Sequence, residues 1–183
     1  MKVWGFIRGW VAPIVVAFVI SFVVGIFVMR PYQVSGHSMD PTLDDSQRIY
    51  AQKWSKTLGK LPDYGDIIII DSRVDRPRTW MDDLTESPMI GWATGKSKEK
   101  IFYVKRLIGK PGDTIEIKEG KVYRNGKLLD EPYIKEPMNP VPDQAWHIPE
   151  DHVFVMGDNR NNSNDSRSIG FIPVDHVMGI KEF

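Results

Sequence analysis

Residues Gly9 to Met29 contain no charged side chain, and this run constrains the chain more than any other feature. At 1.5 Å per helical residue it reaches about 30 Å, the thickness of a bilayer's hydrocarbon core. A cleavable leader would be shorter and end in small residues, whereas this run ends Phe27-Val28-Met29-Arg30-Pro31. A core helix of this length would keep a polar face, and none is present. The reading is a retained transmembrane helix over about 9–29, within an N-terminal membrane anchor of residues 1–30. A single domain of residues 31–183 follows. Trp4 and Trp10 at one end and Tyr32 at the other suit the two interfacial belts. Lys2, Arg8 and the amino terminus stand against Arg30 and the more distant Arg48. That bias leans towards a cytoplasmic N-terminus and an external domain.

Beyond the anchor the chain reads as mainly β. Its 13 prolines and 15 glycines are spread throughout and favour strands and turns over a helical bundle or a parallel α/β sheet. Strand candidates are Tyr32 to Val34, Arg48 to Gln52, Ile67 to Ile70, Ile101 to Ile108, Thr114 to Lys118, Lys121 to Tyr123 and Val153 to Met156. Asn125-Gly126 marks a hairpin turn, and Gly109 to Asp113 another turn. Asp71 to Lys100 has no clear period and reads as a long excursion. Glu131 to Pro149 reads as extended, because Tyr133, Ile134, Trp146 and Ile148 need burial. Charges balance at 24 of each sign, which removes any global attraction for nucleic acid. The absence of cysteine excludes a disulfide framework, a thiol nucleophile and thiolate metal sites.

Three segments carry possible chemistry. Ser38 lies in Ser35-Gly36-His37-Ser38-Met39-Asp40-Pro41-Thr42. The small neighbours would let a peptide carbonyl reach both the hydroxyl and nearby backbone N–H groups, although a turn serine reads the same way. It stands nine residues beyond Met29, at most about 30 Å of extended chain, and so near the bilayer. The four histidines, His37, His147, His152 and His176, lack an evident carboxylate partner and the paired spacing of a zinc site. Lys105 sits in the apolar strand candidate and shares a face with Tyr103 and Leu107. If that face is buried, desolvation would lower its pKa. At about 10.4 only one lysine in roughly 2,500 is neutral at pH 7, against about a tenth at a pKa near 8. An exposed edge-strand lysine is the alternative. The third segment is Gly157 to Gly170, dense in asparagine and serine, with Asp158, Arg160, Asp165 and Arg167. It is either a plain surface loop or a compact one, in which Asp158 or Asp165 pairs bidentately with Arg160 or Arg167 and leaves a serine to orient an amine.

Together, the Ser35 to Thr42 segment, Tyr103-Val104-Lys105-Arg106, and Gly157-Asp158-Asn159-Arg160 running into Asn162 to Arg167 resemble the ordered signature boxes of type I signal peptidases. The short length and single anchor are similar to the compact Gram-positive form. The resemblance implies a signal peptidase I-like β fold in the cell membrane, with the catalytic domain extracytoplasmic. It further implies a serine endopeptidase that removes signal peptides from exported preproteins, cutting after small residues at −1 and −3. By the same resemblance Ser38 is the nucleophile and Lys105 the general base. Ser163 would orient the lysine amine, Asp165 and Arg167 would hold the loop, Asp158 and Arg160 would support it, and Met39 would line the site. Some family members carry a serine two residues before the nucleophile to help the oxyanion. Gly36 stands there instead, which leaves backbone N–H groups, notably that of Ser38. No cofactor or metal is implied; the partners are preproteins and the lipid bilayer.

Two other readings remain at this stage. A Ser/Lys protease of the self-cleaving repressor kind is disfavoured by the anchor and by the lack of a DNA-binding helix pair. A membrane-tethered binding domain is disfavoured by the retained serine, lysine and Gly157 to Gly170 loop.

Overall fold

The computed structural model describes residues 9–20, 29–52, 59–79, 81–82 and 102–182. Residues 9–20 form a helix with exposed side chains, Ile14 and Phe18 among them. Residues 21–28, over which the sequence continues the anchor, lie outside the described residues. Among the described residues no helix is long and apolar enough to cross a membrane. Most of the Asp71 to Lys100 excursion also lies outside them.

The remainder is mainly β, as expected, and every strand pairing is antiparallel. The strands are β1 (Met29–Gln33), β2 (Arg48–Gln52), β3 (Ile67–Asp71), β4 (Phe102–Gly109), β5 (Thr114–Lys118) and β6 (Lys121–Arg124). They continue with β7 (Lys127–Leu128), β8 (Gln144–His147), β9 (His152–Met156), β10 (Ile172–Pro173) and β11 (Val177–Lys181). A seven-stranded sheet runs β1-β2-β11-β3-β4-β9-β10, and a four-stranded sheet runs β7-β6-β5-β8.

Several boundaries depart from the sequence reading. Met29 opens β1 instead of closing a helix, and Pro31 lies inside that strand, opposite Tyr50. Proline is tolerated there because β1 is a sheet edge, where its missing N–H costs no ladder bond. The short strands β7, β8, β10 and β11 escape a pattern search. β8 lies in the proline-rich stretch, and β11 is interrupted by a register shift between Val177 and Gly179.

β3 is buried along its whole length, as a central strand packed on both faces should be. Ile67 and Ile69 join Val34, Met39, Leu43, Ile49 and Met178 on one face. Ile68 and Ile70 join Leu107, Val153, Val155 and Ile172 on the other. A third cluster, with Ile108, Ile115, Ile117, Val122, Ile148, Phe154 and Met156, joins the two sheets. Residues 31–182 thus offer a rigid central pair, β3 and β4, on which side chains can be held.

Candidate active site

The chain leaves β1 through Val34, whose N–H reaches the Gln47 carbonyl at 2.8 Å, while Ser46 N–H returns to the Val34 carbonyl at 3.0 Å. These bonds close a loop over residues 34–47. Gly36 adopts φ 96° and donates its N–H to Asp45 at 2.7 Å. No atom lies within 4 Å of where a side chain at Gly36 would begin. Met39 and Leu43 are both buried in the core, so the turn carrying Ser38 is pinned from below by apolar contacts. Asn159 fastens it from the side: its N–H donates to the Ser38 carbonyl at 3.1 Å and its side-chain amide to the His37 carbonyl at 2.9 Å. Among the described residues the Ser38 N–H has no hydrogen-bond partner.

Lys105 lies in the middle of β4 opposite Ile68 and is only 3% exposed. Its Nζ is 2.7 Å from Ser38 Oγ and 5.5 Å from the centre of the Tyr103 ring. A protonated amine donates in this contact. A neutral amine accepts from the hydroxyl instead, so one geometry serves both protonation states. Burial lowers the Lys105 pKa to about 8; Asp165 and Asp158 oppose the shift, and Arg167 adds to it. Both ends of the 2.7 Å contact therefore belong to fixed elements, a strand and a core-anchored turn.

The loop after β9 encloses the pair. Gly157 follows Met156, the residue paired with Arg106, which brings it beside Lys105. Only glycine fits there: a Cβ would lie 2.3 Å from Ser163 Oγ and 2.4 Å from the Ser38 carbonyl oxygen. Asp165 accepts the Gly157 N–H at 2.9 Å and a two-pronged bond from Arg167 at 2.8 Å on each carboxylate oxygen. It also caps the helical turn Ser166–Ile169. Burial opposes ionisation of Asp165, but these donors, Arg167 foremost, outweigh it and hold the carboxyl below the usual range. Arg167 also donates to the Arg160 carbonyl at 2.8 Å.

The other two ions of this loop pair outside it. The Asp158 carboxylate makes no ion pair with the Arg160 guanidinium, although the Arg160 N–H donates to the Asp158 carbonyl at 3.1 Å. It receives Arg106 at 2.8 and 2.5 Å and the Thr42 hydroxyl at 2.6 Å. Arg160 is matched by Glu131 at 2.7 and 2.8 Å, and its Nε–H donates to the Gly157 carbonyl at 3.1 Å. The Ser163 hydroxyl is buried, near enough to Asp165 to favour the carboxylate, yet in no hydrogen bond of good geometry. Its neighbours are Gly157 and the Ser38 loop, and it makes no bond to Lys105 in this structure. Arg106, Thr42, Asn159 and Glu131 were missed in the sequence reading. Arg106 carried a signal, because alternation on a strand whose Lys105 face is buried turns it into the opposite core, where a cation demands a carboxylate.

Beside the pair is a cavity of about 40 Å³, lined by Val34, Ser35, Ser38, Met39, Tyr103 and Lys105 among others. A larger one, about 720 Å³, lies away from it between residues 59–62, 74–77 and 173–177, and touches neither Ser38 nor Lys105. The histidines take no part: His37 is near Asp40, His147 near Thr114, and His152 near the Glu150 carbonyl, while His176 is buried elsewhere.

Beside this geometry stands the likeness of the chain to known proteins. The model of the family described as "Signal peptidase, peptidase S26" matches residues 7–183. The chain belongs to that family, the type I signal peptidases, which are serine proteases. A signal peptidase I from Bacillus licheniformis is 35% identical over 95% of this chain and 86% of its own. Signal peptidase I P from Bacillus subtilis subsp. natto is 37% identical over the same shares. A crystal structure of a signal peptidase I from Enterococcus faecalis V583 is 28% identical, covering 66% of this chain and 97% of that chain with a TM-score of 0.46. The family establishes removal of signal peptides from preproteins as the class of reaction.

Proposed function

We propose that Ser38 and Lys105 perform that cleavage as nucleophile and general base. The observation that carries this reading is the 2.7 Å contact between Ser38 Oγ and an amine that burial keeps largely unprotonated above pH 8. Neutral Lys105 takes the hydroxyl proton as Oγ attacks the scissile carbonyl, and then passes that proton to the leaving amine. In the second half it takes a proton from the water that attacks the acyl-serine ester, and returns that proton to Ser38 Oγ as the new carboxyl end is released. The Ser38 N–H, unpaired among the described residues, is the available oxyanion donor. Gly36 contributes no hydroxyl to it.

The supporting residues act by position. Asp165 with Arg167 holds the loop beside Lys105; Asp158 reaches the nucleophile turn through Thr42 and the base strand through Arg106. Arg160 holds the Gly157 carbonyl, Ser163 fills the space behind the pair, and Met39 walls the cavity. The cavity beside the pair is small, about 40 Å³. It fits a requirement for small residues at −1 and −3, since a bulkier side chain would have to displace the wall.

The N-terminal residues before β1, with the helix of residues 9–20 among them, serve as the membrane anchor, and the β domain that follows works on the extracytoplasmic side. The exposed apolar side chains of residues 9–20 support this, because water is a poor environment for them. Cleavage of a signal-bearing preprotein by the detergent-solubilised chain is the test, beside folded Ser38→Ala and Lys105→Met variants. Activity in the parent and its loss from both variants is expected. Undiminished cleavage by either variant overturns the assigned pair.

A further inference from the structure

The segment Glu131 to Asn139 belongs to none of the signature boxes, yet it is fastened along the catalytic loop. Glu131 grips Arg160 through both carboxylate oxygens, and the Tyr133 hydroxyl donates to the same carboxylate at 3.0 Å. The Tyr133 ring lies 3.9 Å from the Arg106 guanidinium. Lys135 N–H reaches the Asp158 carbonyl at 3.2 Å, and its amine the Asp40 carboxylate at 3.0 Å. Asn139 N–H donates to the Asn161 side chain at 2.8 Å.

The order of these bonds gives one of them particular weight. Arg160 is a buried cation, its side chain 1% exposed, and Glu131 neutralises it with a side chain itself 9% exposed. Burying either charge alone would be costly, so the pair is obligatory as a unit. The same guanidinium uses its Nε–H on the Gly157 carbonyl. Gly157 is the residue that touches the Ser38 carbonyl and lies beside Lys105. A continuous chain therefore runs from Glu131 through Arg160 to the reacting pair.

We propose that Glu131 is a positioning residue for signal-peptide cleavage, clamping Arg160 so that the Gly157 turn holds Ser38 and Lys105 in register. The inference rests on the Ser38–Lys105 reading given above. Arg160 is faced by Glu131, Tyr133 and Asp158, and Lys105 by Asp165, Arg167 and Asp158. Loss of the Glu131 charge leaves Arg160 short of one carboxylate. The added positive field near Lys105 disfavours its ammonium form.

The test measures kcat, KM and the pH dependence of kcat on one preprotein, using the full chain in detergent. Variants are Glu131→Gln, Glu131→Asp and Ser38→Ala, each with its folded fraction measured by circular dichroism. Small errors of placement at reacting atoms are expensive. Glu131→Gln is expected to lower kcat about tenfold with KM within about twofold, and to move the rising limb of the pH profile to lower pH. Glu131→Asp, which keeps the charge, should recover part of the rate. A kcat per folded molecule and a rising limb equal to the parent's would overturn the proposal, as would a loss that only tracks the folded fraction. Should Glu131→Gln fail to fold, Glu131→Asp decides, because its shorter side chain keeps the charge but loosens the two-pronged grip on Arg160: a lower kcat per folded molecule with KM unchanged supports the clamp, and parental values refute it. A fully active Ser38→Ala would instead bring down the underlying dyad, whereas an inactive Ser38→Ala beside an unaffected Glu131→Gln removes this inference alone.

Discussion

The two sheets of the molecule solve opposite problems. The seven-stranded sheet and its loops bury Lys105, Arg106, Asp158, Arg160 and Asp165 within a few residues of one another. The four-stranded sheet buries Ile115, Ile117 and Val122, keeps the charges of Lys118, Lys121 and Lys127 outside, and has only Asp113 buried, at its entrance. One region therefore carries buried ions that need partners, and the other is an apolar packing unit. Buried ion pairs seldom add net stability compared with hydrophobic packing, though breaking one is expensive. The difference teaches where function sits: apart from Asp71, paired with Arg78 at the end of β3, the buried ions surround the contact that can do chemistry, and the apolar sheet offsets their cost through the shared core.

That contrast can be broken or sharpened by substitution. The largest effect belongs to Ser38→Ala and Lys105→Met, each expected to reduce preprotein cleavage at least about a thousandfold while the fold persists. Asp165→Asn comes next. It leaves Arg167 and the Gly157 N–H without their anion, so unfolding measurements should register a loss of about 3 kcal/mol, and kcat should fall as well. Ile117→Ala should cost a similar 2–4 kcal/mol through a cavity in the apolar sheet. Its activity per folded molecule should be unchanged, and a reduced kcat there would blur the division between the sheets. The last effect has the opposite sign. At pH 7 the folded protein holds a buried ammonium whose pKa is about 8 against 10.5 when unfolded, a cost of about 3 kcal/mol before the packing lost or gained on substitution. The cost is fully present below pH 8 and is relieved as pH rises from 8 to 10.5. Lys105→Met should therefore be the more stable protein at pH 7, with an advantage that shrinks over that interval in melts taken at successive pH values.

The sequence made legible what is local or patterned. Strands β2, β3, β5, β6 and β9 follow from apolar runs and turn residues, and the turn at Asn125-Gly126 from its dipeptide. Ser38 and Lys105 were recognisable from the ordered boxes and not from their surroundings alone, and Asp165 with Arg167 is a pair two residues apart. The rest depends on distance along the chain. Asp158 takes partners 52 and 116 residues away in Arg106 and Thr42, and Arg160 takes one 29 residues away in Glu131. No period or turn propensity encodes such choices, because tertiary packing makes them. Of the pairings open within the Gly157 to Gly170 loop, Asp165 with Arg167 is therefore the one that forms. Met29 was assigned to the helix for a related reason: an apolar residue at a run's end looks the same whether it continues a helix or pairs with Gln52.

The central claim is that the neutral form of a buried Lys105, its pKa lowered to about 8, activates Ser38. The dependence of kcat/KM on pH between 6 and 10 tests it most directly, since that quantity reports the free enzyme's essential base. A single rising limb with its midpoint near 8, unaltered by chelator, is the expected result. A midpoint near 6.5, the ordinary range of histidine, or a rate independent of pH would contradict it.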